Sequence, residues 1–134
     1  MWDPHTQVQA RTLEKVQRRA ARWVTRRYHN TSSVTDMLAD LKWRELAQRR
    51  VDSRLYMMFK MTRGLVNIHF ANHFTLHRNK IQIQPIIART NYYQFSFFPR
   101  TITDWNHICK TTLQAQTLAT FKTKVATLDH NLPY

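Results

Sequence analysis

The sequence predicts a mainly α-helical fold: a small domain of four to five helices with a short β-hairpin, with residues 1–134 forming a single domain. The chain has 134 residues, the length of one ordinary domain, and 43% of them are hydrophobic, which suffices for a core. Apolar residues recur at helical spacing over most of the chain. Alternation of apolar and polar residues, which is typical of strands, is confined to two short stretches at 81–85 and 93–97.

The first predicted helix covers residues 6–28, with Thr6 in the N-cap position. One side of this helix is apolar and consists of Leu13, Val16, Ala20, Trp23 and Val24. The other side has a sector of about 100° that holds six cations and no acid. These cations are Arg11, Lys15, Arg18, Arg19, Arg22 and Arg26.

Two further helices follow the break at residues 29–33. Ser33 and Asp36 match a capping signal, so a short helix is predicted over residues 34–41. A longer helix is predicted from about Trp43 to Arg63, and Gly64 stands where a helix-ending glycine belongs.

The alternating stretches predict two short strands, joined as a hairpin by a long connection. Ile81 and Ile83 alternate with polar residues in the first stretch, and Tyr93, Phe95 and Phe97 in the second. We expect Phe95 and Phe97 to lie in the core.

The last part of the chain returns to helical signals. Pro99 opens a short helical turn that contains Trp105, and Thr117 caps a final amphipathic helix. Trp43 and Trp105 are expected to anchor the core because they flank helix starts and carry large apolar surfaces.

The charge balance predicts a polyanionic partner. Lys and Arg number 21 against 8 Asp and Glu, a formal net charge of +13. The single Gly excludes phosphate-binding glycine loops, and the single Cys excludes an internal disulfide framework. No apolar run is long enough to span a membrane and the N-terminus has no secretory signal, so we expect an intracellular protein of the nucleus or cytoplasm.

No catalytic constellation is apparent, and we expect no enzyme activity, no cofactor, no metal and no small-molecule substrate. His69, His73 and His77 are spaced so that a helix would align them on one face. Zinc generally needs a further Cys or carboxylate ligand, and Cys109 is the one cysteine available. We therefore interpret the three histidines as structural.

A series of motifs carries a family resemblance. With x for a position outside the motif, they are WDPHT (2–6), LExVQRRAAR (13–22), RYHNTSSV (27–34), LxWxxLxxRR (41–50), SFFPRTIxxWN (96–106) and LxxFK (118–122). In this order they resemble the extreme C-terminal region of the reverse-transcriptase polyprotein of non-LTR (LINE-like) retrotransposons. One departure is His107-Ile108-Cys109 after Trp105-Asn106, where family members usually have x-Leu-Pro.

The resemblance implies a helical tail beyond the polymerase thumb that supports binding of template RNA or target DNA. The parent polyprotein would be an RNA-directed DNA polymerase, but its polymerase and endonuclease motifs are absent from this sequence. No catalytic residue of the family therefore transfers to any position here.

Together, charge and resemblance predict that the cations of the first helix contact RNA or DNA backbones rather than bases. Tyr92 and Tyr93 are candidates for stacking on unpaired bases. One alternative is a protein-interaction module, in which the apolar side of residues 13–24 docks on the polymerase thumb or self-associates. Another is a basic amphipathic helix on an anionic membrane or in calmodulin, although we expect no membrane partner for a helix built into a core.

Overall fold

The computed structural model describes residues 3–128, and helices dominate that range, as predicted. Their bounds are α1 Gln7–Thr25, α2 Val34–Asp40, α3 Leu46–Thr62, α4 Asn91–Gln94, α5 Phe97–His107, α6 Lys110–Leu113 and α7 Leu118–Ala126, with a 3₁₀ turn at Phe70–Asn72. Within the described range the Cα positions group into two compact units, residues 3–50 and residues 51–128. The boundary between the units falls inside α3.

In the first unit, α1 and α2 share a small apolar core. It consists of Ala21 from α1 and Val34, Met37 and Leu38 from α2, with Leu41 packed against it. The predicted cap of α2 is confirmed, because the Ser33 hydroxyl accepts a hydrogen bond of 3.3 Å from the Asp36 N–H.

Helix α1 is shorter at its C-terminal end than predicted. It stops at Thr25 because Arg26 adopts a left-handed conformation with φ +53°, and the Arg26 N–H bonds to the Trp23 carbonyl at 3.3 Å. Left-handed caps are usually glycine or asparagine, so an arginine gives no sequence signal for this ending.

The core of the second unit joins α3, α5 and α7. The Phe59 ring of α3 stacks on the Phe121 ring of α7, with centroids 4.4 Å apart. Trp105 of α5 lies 5.8 Å from the same Phe121 ring and is 2% exposed, so its predicted core position is confirmed. Asp104, beside Trp105, pairs with Arg54 of α3 at 2.7 Å.

The predicted glycine signal at the end of α3 is also confirmed. Gly64 has φ +64°, and its N–H bonds to the Met61 carbonyl at 3.2 Å. The Leu65 N–H reaches back to the Lys60 carbonyl at 2.8 Å. This pair of bonds is a Schellman motif, which satisfies the last carbonyls of the helix.

The predicted β-hairpin is wrong. Residues 3–128 contain no named strand, only one antiparallel bridge between Leu76 and Ile83. Residues 91–94 form α4 instead, because the Thr90 hydroxyl caps it by accepting a hydrogen bond of 3.3 Å from the Tyr93 N–H. Phe97 begins α5, and Pro99 lies in its first turn, where a missing N–H costs nothing.

The Asn106 side chain forms hydrogen bonds with the backbone of Ile83, where a partner strand was expected to do so. Its amide accepts a hydrogen bond from the Ile83 N–H at 3.0 Å and donates one to the Ile83 carbonyl at 2.7 Å. The Trp105 indole N–H donates to the Ile81 carbonyl at 2.9 Å. The extended segment is therefore bonded on one side to the backbone of residues 75–77, where the Gln84 N–H donates to the Thr75 carbonyl at 2.8 Å, and on the other side to side chains of α5.

Three aromatic residues are more exposed than expected. Phe95 is 41% exposed and Phe97 is 37% exposed, so their predicted core positions are wrong. In a strand, alternate residues share one buried face, but at the junction of two helices these rings have no common face. Trp43 is 36% exposed, in the connection before α3, and does not anchor a core either.

Candidate nucleic-acid interface

Helix α1 carries the predicted cationic sector. We define this sector as Arg11, Lys15, Arg18, Arg19, Arg22 and Arg26. All are exposed except Arg22, which is half-buried, and Arg26 stands one residue beyond the helix as its C-cap. At about 100° per residue, the five that lie within the helix occupy a single sector of roughly 100°.

The cations of this sector have few partners in the described part of the chain. The Arg11 guanidinium donates to the Gln7 side-chain carbonyl at 3.4 Å, on the same helix face. The ion pairs found within residues 3–128 lie outside the sector, and the nearest along the chain joins Arg27 to Asp40 at 2.9 Å. The sector therefore presents positive charge that no carboxylate bond offsets.

The buried face of α1 differs from the predicted apolar side. Gln17 and Ala21 are its buried residues, whereas Val16 is 64% exposed and Trp23 is 73% exposed. Val24 is exposed as well, and Leu13 and Ala20 are half-buried. Three of the five residues on the apolar side therefore stay exposed.

The inward side of α1 combines the apolar contact of Ala21 with α2 and two long-range hydrogen bonds. The Gln17 amide donates to the Arg44 carbonyl at 2.9 Å. The Glu14 carboxylate accepts a hydrogen bond of 3.1 Å from the N–H of Leu46, the first residue of α3. A carboxylate at a helix N-terminus satisfies a free N–H and complements the helix dipole. These polar contacts place the Glu14 and Gln17 side of α1 inward.

The environment of Glu14 also affects its ionisation. Burial raises the pKa of this carboxyl above its ordinary value, and the hydrogen bond from the Leu46 N–H opposes that shift. Nearby charges contribute less: Glu45 raises the pKa, and Arg50 and Arg18 lower it. Arg18 thus acts on Glu14 electrostatically although it forms no ion pair with it.

Three exposed apolar residues of α1 lie outside the cationic sector: Val16 and Trp23 are near its edge on the helical wheel, and Val24 lies about 100° from Trp23. We define the apolar ridge as Val16, Trp23 and Val24. On the helical wheel, Trp23 lies about 40° from Arg19, so a large aromatic surface adjoins the positive charge. Because residues four apart are neighbours on a helix, Arg19 lies one turn before Trp23. Arg26 is the C-cap just beyond the helix, and its N–H bonds to the Trp23 carbonyl at 3.3 Å.

The two tyrosines predicted to stack on bases belong to the second unit. Both lie in α4, where Tyr92 is 87% exposed and Tyr93 is also exposed. The exposed Phe97 of the next helix contacts Phe98 edge-on, with centroids 5.2 Å apart, and Phe98 stacks on His73 at 4.7 Å. Exposed aromatic rings are therefore present in both units.

The histidines and the cysteine that were considered as metal ligands do not come together in the structure. His69, His73 and His77 do not share a helix, because the chain from 69 to 77 contains only the short 3₁₀ turn. Within residues 3–128, no three His, Cys, Asp or Glu side chains come together as a metal site. Cys109 is exposed, and hydrogen bonding to Thr111 lowers the pKa of its thiol.

Comparison with family models, curated proteins and solved structures finds no match for this chain. Among the described residues, no helix combines the length and apolar character needed to cross a bilayer.

The cationic sector could be predicted from the sequence, but the orientation of α1 that leaves Trp23 exposed could not. The available signal was the placement of Glu14 and Gln17, two polar residues three apart beside the apolar stripe.

Proposed function

We propose that this chain is a non-catalytic nucleic-acid-binding fragment that contacts RNA or DNA backbones through the cationic sector of α1. The observation that carries the proposal is five cations on one sector of α1 and a sixth at its C-cap, with no carboxylate paired to them within residues 3–128. Arginine suits phosphate because its planar guanidinium donates two parallel hydrogen bonds.

We further propose that the chain corresponds to the C-terminal region of a non-LTR retrotransposon reverse transcriptase. The motif series along the sequence supports this origin, and the net charge of +13 is compatible with a nucleic-acid-binding role. In that setting the chain would act in the nucleus or cytoplasm, beside the polymerase domain of the parent polyprotein. The polymerase would supply the chemistry and this segment would hold the template or target.

A binding titration at two salt concentrations tests the proposal. Labelled RNA and DNA are titrated at about 0.05 M and 0.2 M salt, because phosphate contacts release counterions and weaken with salt. The test variant changes Arg11, Lys15 and Arg19 to Gln, which removes three charges and keeps good helix formers. If all three contact phosphates, the slope of log affinity against log salt should become shallower by about 2–3.

A matched variant controls for the loss of net charge. Changing Arg78, Arg89 and Lys110 to Gln also removes three exposed positive charges, but from the second unit. We expect this control to keep most of the affinity and nearly all of the salt slope. Equal losses in the two variants would mean that only total charge matters, and the proposed interface on α1 would then be wrong.

The apolar ridge favours protein interaction as a second candidate function. Val16 and Val24 are exposed about two turns apart on α1. A polymerase thumb or a second copy of the chain could cover them. Sedimentation over a range of concentrations would detect self-association. Replacing both valines by Ser should abolish it if the ridge is the contact, and a monomer at every concentration would argue against self-association.

A further inference from the structure

Trp23 is the largest exposed residue of α1, and its surroundings are unusual for an apolar residue. The side chain is 73% exposed, and within residues 3–128 its ring stacks on no other ring. The indole belongs to the helix that carries the cationic sector, not to a separate apolar surface. A different face of α1 is turned inward, where Ala21 packs on α2 and Gln17 and Glu14 form hydrogen bonds.

Cations border the Trp23 ring along the helix. Arg19 lies one turn before it, and Arg26 and Arg27 follow it by three and four residues. Arg27 is paired with Asp40, but Arg19 and Arg26 form no ion pair in the described range. An aromatic face can stack on a flat apolar group, and the guanidinium groups beside it can bind negative charges. A ligand that complements both would have flat apolar groups joined by negatively charged ones.

We propose that Trp23 is a stacking platform for an unpaired base, and hence that the ligand of the cationic sector is single-stranded nucleic acid. This inference rests on the proposed function and adds the class of ligand to it. Every base has a π-face, so stacking needs no particular sequence, but in a duplex those faces are covered by neighbouring base pairs. Arg19 and Arg26 then hold the phosphates on either side of the stacked base.

The charge around Trp23 favours a nucleic acid over a protein as its occupant. The buried centres of protein interfaces are depleted in charged residues, whereas Trp23 is bordered by arginines. A protein partner would have to supply carboxylates for these arginines as well as an apolar pocket. A single strand offers both features in each nucleotide.

The test compares two substitutions that separate stacking from apolar contact. Trp23→Phe keeps an aromatic face, and Trp23→Leu keeps an apolar side chain without one. The probes are a labelled oligouridine of about 12 nucleotides and a duplex of the same length, since single-strand sites span about 4–16 nucleotides. Ile87→Ala, at an exposed apolar residue of the second unit, is the control.

We expect Trp23→Leu to weaken oligouridine binding about 5- to 150-fold, the range found when a stacking residue is removed. Trp23→Phe should retain most of the affinity, and Ile87→Ala all of it. Duplex binding should change less than about twofold in each variant, because the duplex contacts only the cations. Tryptophan emission should also be quenched by oligouridine in the wild type and less so in Trp23→Phe.

The outcomes separate this inference from the proposed function. If the triple Gln variant of α1 loses affinity but Trp23→Leu does not, backbone binding stands and stacking is refuted. Equal binding by the Leu and Phe variants, or a Trp23-dependent dimer that nucleic acid does not dissociate, would assign the ring to apolar docking and refute stacking. If neither probe binds the wild-type chain, both proposals fail.

Discussion

Removing the Phe121 ring should have a large effect on stability, because three helices of the second unit meet at this side chain. Phe121 of α7 is fully buried, stacks on Phe59 of α3 at 4.4 Å, and lies 5.8 Å from the Trp105 ring of α5. Tyr56 contributes an edge-on contact at 6.3 Å. Substitution by Ala would remove all three ring contacts and leave a cavity.

The size of the effect follows from these contacts. A buried Phe changed to Ala costs about 3–5 kcal/mol, which includes both the transfer free energy and the cavity. For a chain of this length such a loss would lower the melting temperature by about 10–18 °C. Phe121→Leu keeps most of the volume but loses the ring pairs, so its expected cost is about 1–2 kcal/mol.

Urea unfolding followed by far-ultraviolet circular dichroism measures these differences. Tyr92→Ala is the matched control, because that ring is 87% exposed and its removal should change the unfolding free energy by less than about 0.5 kcal/mol. A loss below about 1 kcal/mol for Phe121→Ala would refute the packing of α7 on α3.

Three further predictions concern single positions, each measured as a change in unfolding free energy. Gly64→Ala should cost about 1–2 kcal/mol, because φ is +64° and the surrounding space is open, so backbone strain alone acts; no change would contradict the left-handed cap. Thr117→Ala should cost about 1 kcal/mol by removing the cap bond to the Thr120 N–H, and Thr117→Ser should restore it. Burial raises the pKa of Glu14, so the folded chain binds this proton more readily than the unfolded chain. Wild type should therefore gain stability relative to Glu14→Gln as the pH falls from about 7 toward the ordinary value of 4.5, and a constant difference would contradict the shift.

The features that could be predicted from the sequence are those decided by neighbouring residues. The caps at Ser33 and Thr117 depend on a hydroxyl and an N–H three residues away, and Gly64 depends on its own freedom at positive φ. Such short-range signals locate the ends of helices even where the packing between helices is unknown. The end of α1 at Arg26 was missed because the residue that adopts the left-handed conformation is not a glycine.

The prediction of a β-hairpin was wrong because an alternating pattern does not identify the hydrogen-bond partner of each main-chain group. Ile83 is buried, as expected of an inward strand residue, but its N–H and carbonyl bond to the Asn106 side chain, 23 residues away. Around Tyr93 the same alternation is overridden by the Thr90 cap, which starts a helix. Alternation therefore predicted the burial at Ile83 correctly and the secondary structure incorrectly.

In the candidate site, too, the features with local causes could be predicted from the sequence, and those with long-range causes could not. Arginines at helical spacing on an acid-free sector remain exposed in the first unit, which the pattern alone predicts. Which residues of α1 are covered depends instead on long-range contacts: Ala21 packs on α2, and the hydrogen bonds from Gln17 to Arg44 and from Leu46 to Glu14 span 27 and 32 residues. Hydrophobic periodicity carries no information about such hydrogen bonds.

If α1 binds nucleic acid as proposed, the face that it turns inward also affects which ligand it accepts. Had the apolar stripe packed inward as its periodicity predicts, Trp23 would be covered and the helix would offer charge alone, a surface suited equally to any polyanion. Because Glu14 and Gln17 face inward instead, the indole remains exposed beside Arg19 and the helix presents an aromatic face together with positive charge. Preference for single strands over duplexes would thus depend on two side chains that touch neither the base nor the phosphate. Weakening the Gln17 contact should reduce that preference before it reduces backbone affinity.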